Sequence, residues 1–237
     1  MYEIESRIRY SEVTKENILS PEGIVNYFQD CTTFHSEDAN VGVEYLKKHQ
    51  KAWILLAWQI IMERYPRLGE KIKVGTWATG FQGLYGSRNF IMQTKEGERL
   101  AYANSTWVFM DLEKGRPAKP TSEEIKPYEI EEPIQMEYAP RKIELPEGLW
   151  EEGETFTVQK HQIDSNGHVN NSQYILLAID QAGIKESEIR QIRVEYKKSA
   201  EEKDKIQTKI KKGEQTVIVR LCGEKNETYA VVEIERK

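Results

Sequence analysis

Hydrophobic and polar residues alternate along several segments of the chain, as they do in half-buried β-strands. The first of these segments is Tyr2–Val13, and three more in the N-terminal half read EKIKVGTWATGF, YGSRNFIMQT and RLAYANSTWVFMDL. Residues 52–65, AWILLAWQIIMERY, are almost continuously apolar. Because strands follow this segment, we interpret it as a long strand too. The KEGE tetrapeptide predicts a hairpin turn between the last two strands.

A helix is predicted between the first strand and this group of long strands. Ser20 followed by Pro21 fits a helix N-cap and first helical position. The apolar residues that follow have helical spacing: Ile24, Tyr27, Phe28 and Cys31. The N-terminal half therefore reads as a strand, a helix and several antiparallel strands.

Six of the eight prolines lie between residues 113 and 150, in an acidic and polar stretch. This composition predicts a linker across the surface. We expect an N-terminal domain at residues 1–125, a linker at residues 126–150 and a C-terminal domain at residues 151–237.

The second half repeats the order of elements in the first half. A predicted strand, TFTVQKHQI, precedes a turn and helix, DSNGHVNNSQYILLAIDQAG, and about four more strands follow. Aligning Tyr27 with Tyr174, an offset of 174 − 27 = 147, places Asn17 opposite Asp164. We infer two copies of one α+β unit, each a helix wrapped by a curved antiparallel sheet. The alternative is two unrelated α+β domains.

The stretch IDSNGHVNNSQYI, residues 163–175, concentrates polar chemistry just before the second helix. Asp164, Asn166 and His168 occupy alternate positions. An aspartate can act as a base toward water or as a nucleophile. Histidine exchanges a proton near neutral pH, and the amide can orient either group. The simpler interpretation is a turn with ordinary capping residues.

The start of this helix is a second candidate for catalytic chemistry. With a helix beginning near Val169, the first backbone amides lack partners inside the helix. The amides of Val169, Asn170 and Asn171 would then polarise a carbonyl and stabilise a developing oxyanion.

Charge and composition narrow the possible functions. The formal net charge of −5 argues against broad nucleic-acid binding. No apolar run approaches the roughly 20 residues that span a bilayer. Cys31 and Cys222 form neither a metal-binding pattern nor a disulfide framework, so we expect a reducing, cytoplasmic setting.

The DSNGHVNN run followed by SQYI resembles the signature of hotdog-fold thioesterases. Together with LSPEGIVNYFQD, WATGF and VEYKK, the whole chain resembles the acyl–acyl carrier protein thioesterase family of bacteria and plant plastids. The resemblance implies two tandem hotdog domains, with the active site in the C-terminal one. It implies hydrolysis of the thioester between a fatty acyl chain and the phosphopantetheine of acyl carrier protein, without metal or cofactor.

The resemblance places Asp164, Asn166 and His168 on the family's catalytic positions. In plant members a Glu-Cys pair follows the EY-basic-basic stretch, where this chain has Ser199 and Ala200. A cysteine mechanism is therefore disfavoured here. Glu201 is the first candidate for a second carboxylate, Glu195 and Glu202 are weaker candidates, and Asp164 acting without one is the alternative.

Acyl carrier protein is acidic, so an enzyme of charge −5 needs a local basic patch to bind it. Residues 197–212 contain seven lysines and three acids. We expect Lys209, Lys211 and Lys212, with Arg88, to contact the carrier protein. The alternative is an ordinary solvated face.

The resemblance further implies that the N-terminal domain shapes the acyl tunnel, near Trp53, Trp58, Trp77 and Phe81, although plain core is the alternative for each. Competing functions are an acyl-CoA thioesterase of the same fold, a non-catalytic acyl-binding hotdog protein, and a hotdog dehydratase, for which neither half shows the required pair. Two units in one chain allow a monomer or a homodimer.

Overall fold

The computed structural model describes residues 1–237 and contains four α-helices and eleven β-strands, which confirms the α+β class. The helices are α1 Pro21–Asp38, α2 Val43–Lys48, α3 Ser122–Ile125 and α4 Asn171–Ala182. The strands are β1 Tyr2–Arg7, β2 Lys51–Met62, β3 Lys71–Gln82, β4 Tyr85–Thr94, β5 Arg99–Asp111, β6 Arg116–Pro117, β7 Glu151–Thr157, β8 Ile189–Tyr196, β9 Lys205–Lys212, β10 Thr216–Cys222 and β11 Thr228–Arg236. None of the helices combines the length and the apolar character that crossing a bilayer requires.

All eleven strands belong to one antiparallel sheet, in the order β1-β3-β4-β5-β2-β8-β11-β10-β9-β7, with β6 beside β5. Read inward from each edge, the two halves have the same strand order. The halves join where β2 pairs with β8, from Ala57 opposite Glu195 to Ile61 opposite Gln191. Both long helices pack on one face of this sheet in a single core of 42 buried residues. The sheet therefore brings α1 and α4 into contact.

The turns before α1 and α4 have the same backbone geometry. The N–H of Thr14 donates to the carbonyl of Ile18 at 2.8 Å, and the N–H of Asp164 donates to the carbonyl of His168 at 2.8 Å. These pairs are related by an offset of 164 − 14 = 150 residues. Each loop thus closes the same five-residue turn.

The pairing of Tyr27 with Tyr174 was therefore wrong by three residues. At the structural offset of 150, Tyr27 corresponds to Leu177. The left-handed residue of the first turn, Asn17 with φ 58°, corresponds to Gly167 with φ 81°. The backbone conformation that a turn requires therefore aligns the two units more reliably than a shared tyrosine does.

Two predicted element boundaries also shift. The first strand ends at Arg7, and a short 3₁₀ turn at Tyr10–Glu12 follows it. The second helix begins at Asn171, because Val169 is still paired with Ile163 in an antiparallel bridge. The long strand at residues 52–65 is confirmed as β2, and Ser20 caps α1 as predicted by accepting from the N–H of Gly23.

Residues 126–150 contain no helix or strand and cross the outer face of the sheet. Ile143 is 1% exposed and packs there on Ile218 and Val231. The side chain of Gln59 holds an earlier part of the segment. It donates to the carbonyl of Glu137 and accepts from the N–H of Ala139, each at 2.9 Å. The segment is therefore fixed to the sheet.

Candidate active site

Asp164 organises the loop before α4 through its own carboxylate. Its Oδ1 accepts the backbone N–H of Asn166 at 2.8 Å and that of His168 at 3.3 Å. Aspartate favours such turns because its short side chain reaches the amides that follow it. The other carboxylate oxygen, Oδ2, accepts no hydrogen bond and is free to meet a water or a substrate.

The side chains of Asp164 and His168 are half-buried, whereas Asn166 is exposed. No hydrogen bond joins any two of the three side chains, and the imidazole has no partner. The backbone of the turn and the contact of Asp164 Oδ1 with the backbone N–H of His168 hold the two residues beside each other. The loop thus presents a carboxylate oxygen and an imidazole that can both take part in proton transfer.

The helix start offers fewer free amides than expected. The N–H of Val169 donates to the carbonyl of Ala200, and that of Asn170 donates to the carbonyl of Gln162, both at 2.9 Å. Neither amide can bind an oxyanion in this arrangement, so the expectation for Val169 and Asn170 was wrong. The N–H of Asn171, the first residue of α4, has no acceptor. It remains the candidate donor.

The N-terminal unit reaches this helix start through α1. Gln29 donates to Asn170 Oδ1 at 3.4 Å and accepts from Asn171 Nδ2 at 3.3 Å. Glu22 of α1 adds a second contact with α4, because its carboxylate accepts a hydrogen bond from Gln173 Nε2 at 2.6 Å. Burial raises the pKa of Glu22 above its ordinary value. Residues of both units therefore surround the start of α4.

A cavity of about 140 Å³ opens in the N-terminal unit along α1. Thr33 and Ser36 line it and follow Gln29 by four and seven residues, so they share its face of the helix. The face of α1 that touches α4 thus continues into the cavity. Its apolar wall consists mainly of aromatic side chains: Trp53, Phe81 and Trp107.

Of the four aromatic residues expected near an acyl tunnel, Trp53 and Phe81 line the cavity. Trp58 is 2% exposed and packs against Phe28 and Phe90 in the core. Trp77 is buried, and its indole N–H donates to the carbonyl of Glu132. These last two are core residues.

The three lysines expected to bind a partner lie on β9, where neighbouring groups already engage them. Lys209 pairs with Glu152 at 3.4 Å and Lys212 with Glu151 at 2.9 Å. Lys211 donates to the carbonyl of Leu149 at 2.9 Å. The local acids of β7 therefore reduce the positive field of this face.

Arg88 is not part of a docking surface, and its assignment to one was wrong. Its side chain lies inside the protein, with the whole residue 7% exposed. It donates to Nδ1 of His35 at 2.6 Å and to Oγ1 of Thr76 at 3.3 Å. A macromolecule docking on the surface does not reach it.

No hydrogen bond joins the Glu201 side chain to the loop that holds Asp164. Its side chain is exposed and accepts no hydrogen bond, while its backbone N–H donates to Asp204 at 3.0 Å. The neighbouring residue, Ala200, carries the carbonyl that pairs with Val169. The backbone thus passes beside the loop, while the carboxylate of Glu201 is exposed to solvent.

Sequence reasoning missed Gln29 and Glu22, the α1 residues that contact the start of α4. Gln29 lies 141 residues from Asn170 in the chain. No local pattern marks such a contact, because it forms only where the two halves of the sheet join.

The family described as "Acyl-ACP thioesterase N-terminal domain" matches residues 1–128, and "Acyl-ACP thioesterase C-terminal domain" matches residues 150–235. The chloroplastic palmitoyl-acyl carrier protein thioesterase of Gossypium hirsutum is 26% identical over 208 residues, which are 81% of this chain and 50% of that protein. That of Cuphea hookeriana is 29% identical over 181 residues, 71% of this chain and 43% of that protein. The chain thus spans about half the length of these curated relatives.

Solved structures show the same hotdog fold. An acyl-ACP thioesterase from Bacteroides thetaiotaomicron superposes with a TM-score of 0.90 at 24% identity, covering 99% of this chain and 97% of that one. The 12:0-ACP thioesterase from Umbellularia californica gives a TM-score of 0.83 at 20% identity, covering 100% and 96%. Because the two family matches together cover nearly all of the sequence, the chain belongs to the acyl-ACP thioesterase family.

Proposed function

We propose that the protein hydrolyses fatty acyl–acyl carrier protein, releasing the free fatty acid and the carrier protein in fatty acid biosynthesis. The family supports this reaction, since its named relatives are acyl carrier protein thioesterases and hydrolases. The observation that carries the proposal is the continuity of one face of α1. This face touches the start of α4 through Gln29 and lines an apolar cavity one turn later. An acyl chain in the cavity would place its thioester near the loop that holds Asp164.

In the proposed mechanism the thioester carbonyl accepts the free N–H of Asn171 at the positive end of α4. Asp164 Oδ2 takes a proton from a water as that water attacks the carbonyl carbon. The carbon–sulfur bond then breaks, and His168 delivers a proton to the departing thiolate. The proton taken up by Asp164 then passes to the imidazole and restores both groups. Asn166 hydrogen-bonds the water or the imidazole. Water is the only second reactant, because a thioester is already an activated acyl group.

Direct attack by Asp164 on the carbonyl carbon is the alternative within this site. It passes through a mixed anhydride that water then hydrolyses. A single turnover in ¹⁸O-labelled water tests for this route. Label in Asp164 identifies the anhydride, because only attack of that water on the aspartyl carbonyl places it there. General base catalysis leaves the label in the fatty acid alone.

Docking of the acidic carrier protein requires local positive charge, given the net charge of −5. Lys209, Lys211 and Lys212 stay the candidates, with acids of the partner replacing the local acids of β7. Reversing all three to glutamate is expected to raise KM for acyl carrier protein substrates more than for acyl-CoA. A matched variant reverses the exposed Lys48, Lys119 and Lys126, which changes net charge equally but elsewhere. Equal KM increases in the two variants would exclude the β9 patch.

The local pairing of the β9 lysines favours a second candidate, an acyl-CoA hydrolase that needs no docking patch. One assay decides between the two. Purified protein is given acyl carrier protein and coenzyme A thioesters of matched chain lengths, and thiol release is followed. We expect a higher kcat/KM for the acyl carrier protein thioesters than for the coenzyme A thioesters. A preference for coenzyme A would replace it with the second candidate, and no release from any thioester would refute hydrolysis.

A further inference from the structure

A positive charge is buried in the cavity wall without a negative partner. The guanidinium of Arg88 forms no salt bridge, although the residue is only 7% exposed. Burial lowers its pKa to about 10, so it remains charged at neutral pH. Its neighbour His35 is neutral there, because burial lowers the imidazole pKa to about 4. Buried charges are normally paired, since removing them from water is costly.

The hydrogen bonds of Arg88 are incomplete as well. Of its five N–H groups, one bonds to Oγ1 of Thr76 and one to Nδ1 of His35. Neither N–H of Nη1 has an acceptor. The ring of Tyr128 lies 5.3 Å from the guanidinium carbon and offers a cation–π contact in partial compensation. A strong donor group in the cavity wall is therefore left without a protein acceptor.

A second unsatisfied group lies in the same cavity. The buried hydroxyl of Thr32 has no hydrogen-bond partner, and both Thr32 and Arg88 line the cavity whose other walls are largely aromatic. Unpaired buried polar groups are uncommon. Such a hydroxyl, beside an arginine whose Nη1 has no protein acceptor, describes a site that is complementary to an apolar chain bearing an oxygen.

We infer that the cavity selects acyl chains that carry a hydrogen-bond-accepting oxygen, as a hydroxyl, keto or carboxylate group, at the point where the chain meets Arg88. The oxygen accepts from Nη1 of Arg88, and the rest of the chain packs on Trp53, Phe81 and Trp107. A plain hydrocarbon chain there would displace water from the guanidinium without replacing its hydrogen bonds. This inference rests on the proposed function, because it assigns the cavity to the acyl chain.

Binding to the unaltered protein gives the first test. Free fatty acids of matched length are compared by calorimetry, either plain or with a terminal hydroxyl or a terminal carboxylate. At the length that reaches Arg88, the oxygen-bearing acids are expected to bind about tenfold to a hundredfold more tightly. A larger gain for the carboxylate than for the hydroxyl identifies an anion as the preferred group, and a similar gain identifies any acceptor oxygen. Equal affinities for plain and substituted acids at every length would overturn the inference.

The variant Arg88→Met gives the second test, because it keeps much of the side-chain length and removes every donor. It is expected to lose the preference and to bind plain acids better. Arg99→Met, at a half-exposed arginine of β5 outside the cavity, is the matched control and should keep the preference. If Arg88→Met fails to fold, as judged by its thermal transition, the binding series on the unaltered protein decides. Thiol release from plain acyl thioesters is measured in parallel. If no thiol is released, the proposed function is wrong. The inference about Arg88 is tested only by the measured affinities for plain and oxygen-bearing acids.

Discussion

Replacing Asp164 with asparagine separates its chemical role from its structural one. The amide oxygen of asparagine still accepts the N–H groups of Asn166 and His168, which Asp164 Oδ1 binds at 2.8 and 3.3 Å. The turn should therefore persist, and the unfolding free energy should change by less than about 1 kcal/mol. The amide takes no proton from water, so hydrolysis should fall about a hundredfold to ten-thousandfold. That loss corresponds to about 3 to 5 kcal/mol of transition-state stabilisation, well above the structural change.

Asp164→Ala removes both roles and sets the scale of the structural one. Losing two hydrogen bonds at a half-exposed carboxylate should cost about 1 kcal/mol of stability. Thr14→Ala is the matched control, because Thr14 occupies the equivalent turn of the first unit and accepts the N–H of Glu16 at 3.2 Å. It should lower stability slightly and leave the rate unchanged.

The assay is steady-state thiol release from acyl carrier protein thioesters, with urea unfolding of each variant alongside. A rate for Asp164→Asn within a few-fold of the unaltered protein would refute the assignment of Asp164 as base or nucleophile. A rate loss in Thr14→Ala as large as that in Asp164→Ala would show that turn geometry anywhere in the molecule, and not the chemistry of this loop, controls the rate.

Three further predictions concern stability and are checked by urea unfolding. Thr32→Val removes a buried hydroxyl that has no partner and should raise the unfolding free energy by about 1 kcal/mol; a decrease would contradict this. Ile143→Ala, at the 1% exposed anchor of the linker, should lower it by about 2 to 4 kcal/mol, and no loss would mean that the linker is not fixed to the sheet. The hydrogen bond from Lys51 holds the pKa of Asp111 at about 2, below its ordinary value of 3.8. The stabilisation is therefore present above pH 3.8 and lost as the pH falls through about 2, and Lys51→Met should weaken this acid dependence; an unchanged pH profile would refute the pairing.

Local features of the fold were predictable from the sequence because short-range geometry determines them. Ser20 and Pro21 mark the start of α1, and KEGE marks the hairpin between β4 and β5, since caps and turns depend on adjacent residues. The helix start at Asn171 was missed by two residues. The local pattern predicts a helix from about Val169. The backbone of Val169 instead pairs with Ile163 and with the distant Ala200, so the helix begins two residues later.

Arg88 shows where residue type misled and periodicity would have helped. In β4 it lies two residues before Phe90 and four before Met92, both fully buried, so alternation places all three on the core face. Because arginine is usually exposed, we predicted a surface position for Arg88, although the alternation in β4 indicates the core face. The contact of Gln29 with Asn170 had no such signal, because it depends on how two units 150 residues apart pack together.

We propose above that the loop at Asp164 hydrolyses acyl carrier protein thioesters. The most direct test is the release of carrier protein thiol and free fatty acid by the purified protein, compared with Asp164→Asn at equal concentration and equal folded fraction. We expect many turnovers for the unaltered protein and a rate at least about a hundredfold lower for the variant. Two results would contradict this proposal. One is that acyl carrier protein binds but its thioester is not hydrolysed, and the other is equal rates for the unaltered protein and Asp164→Asn.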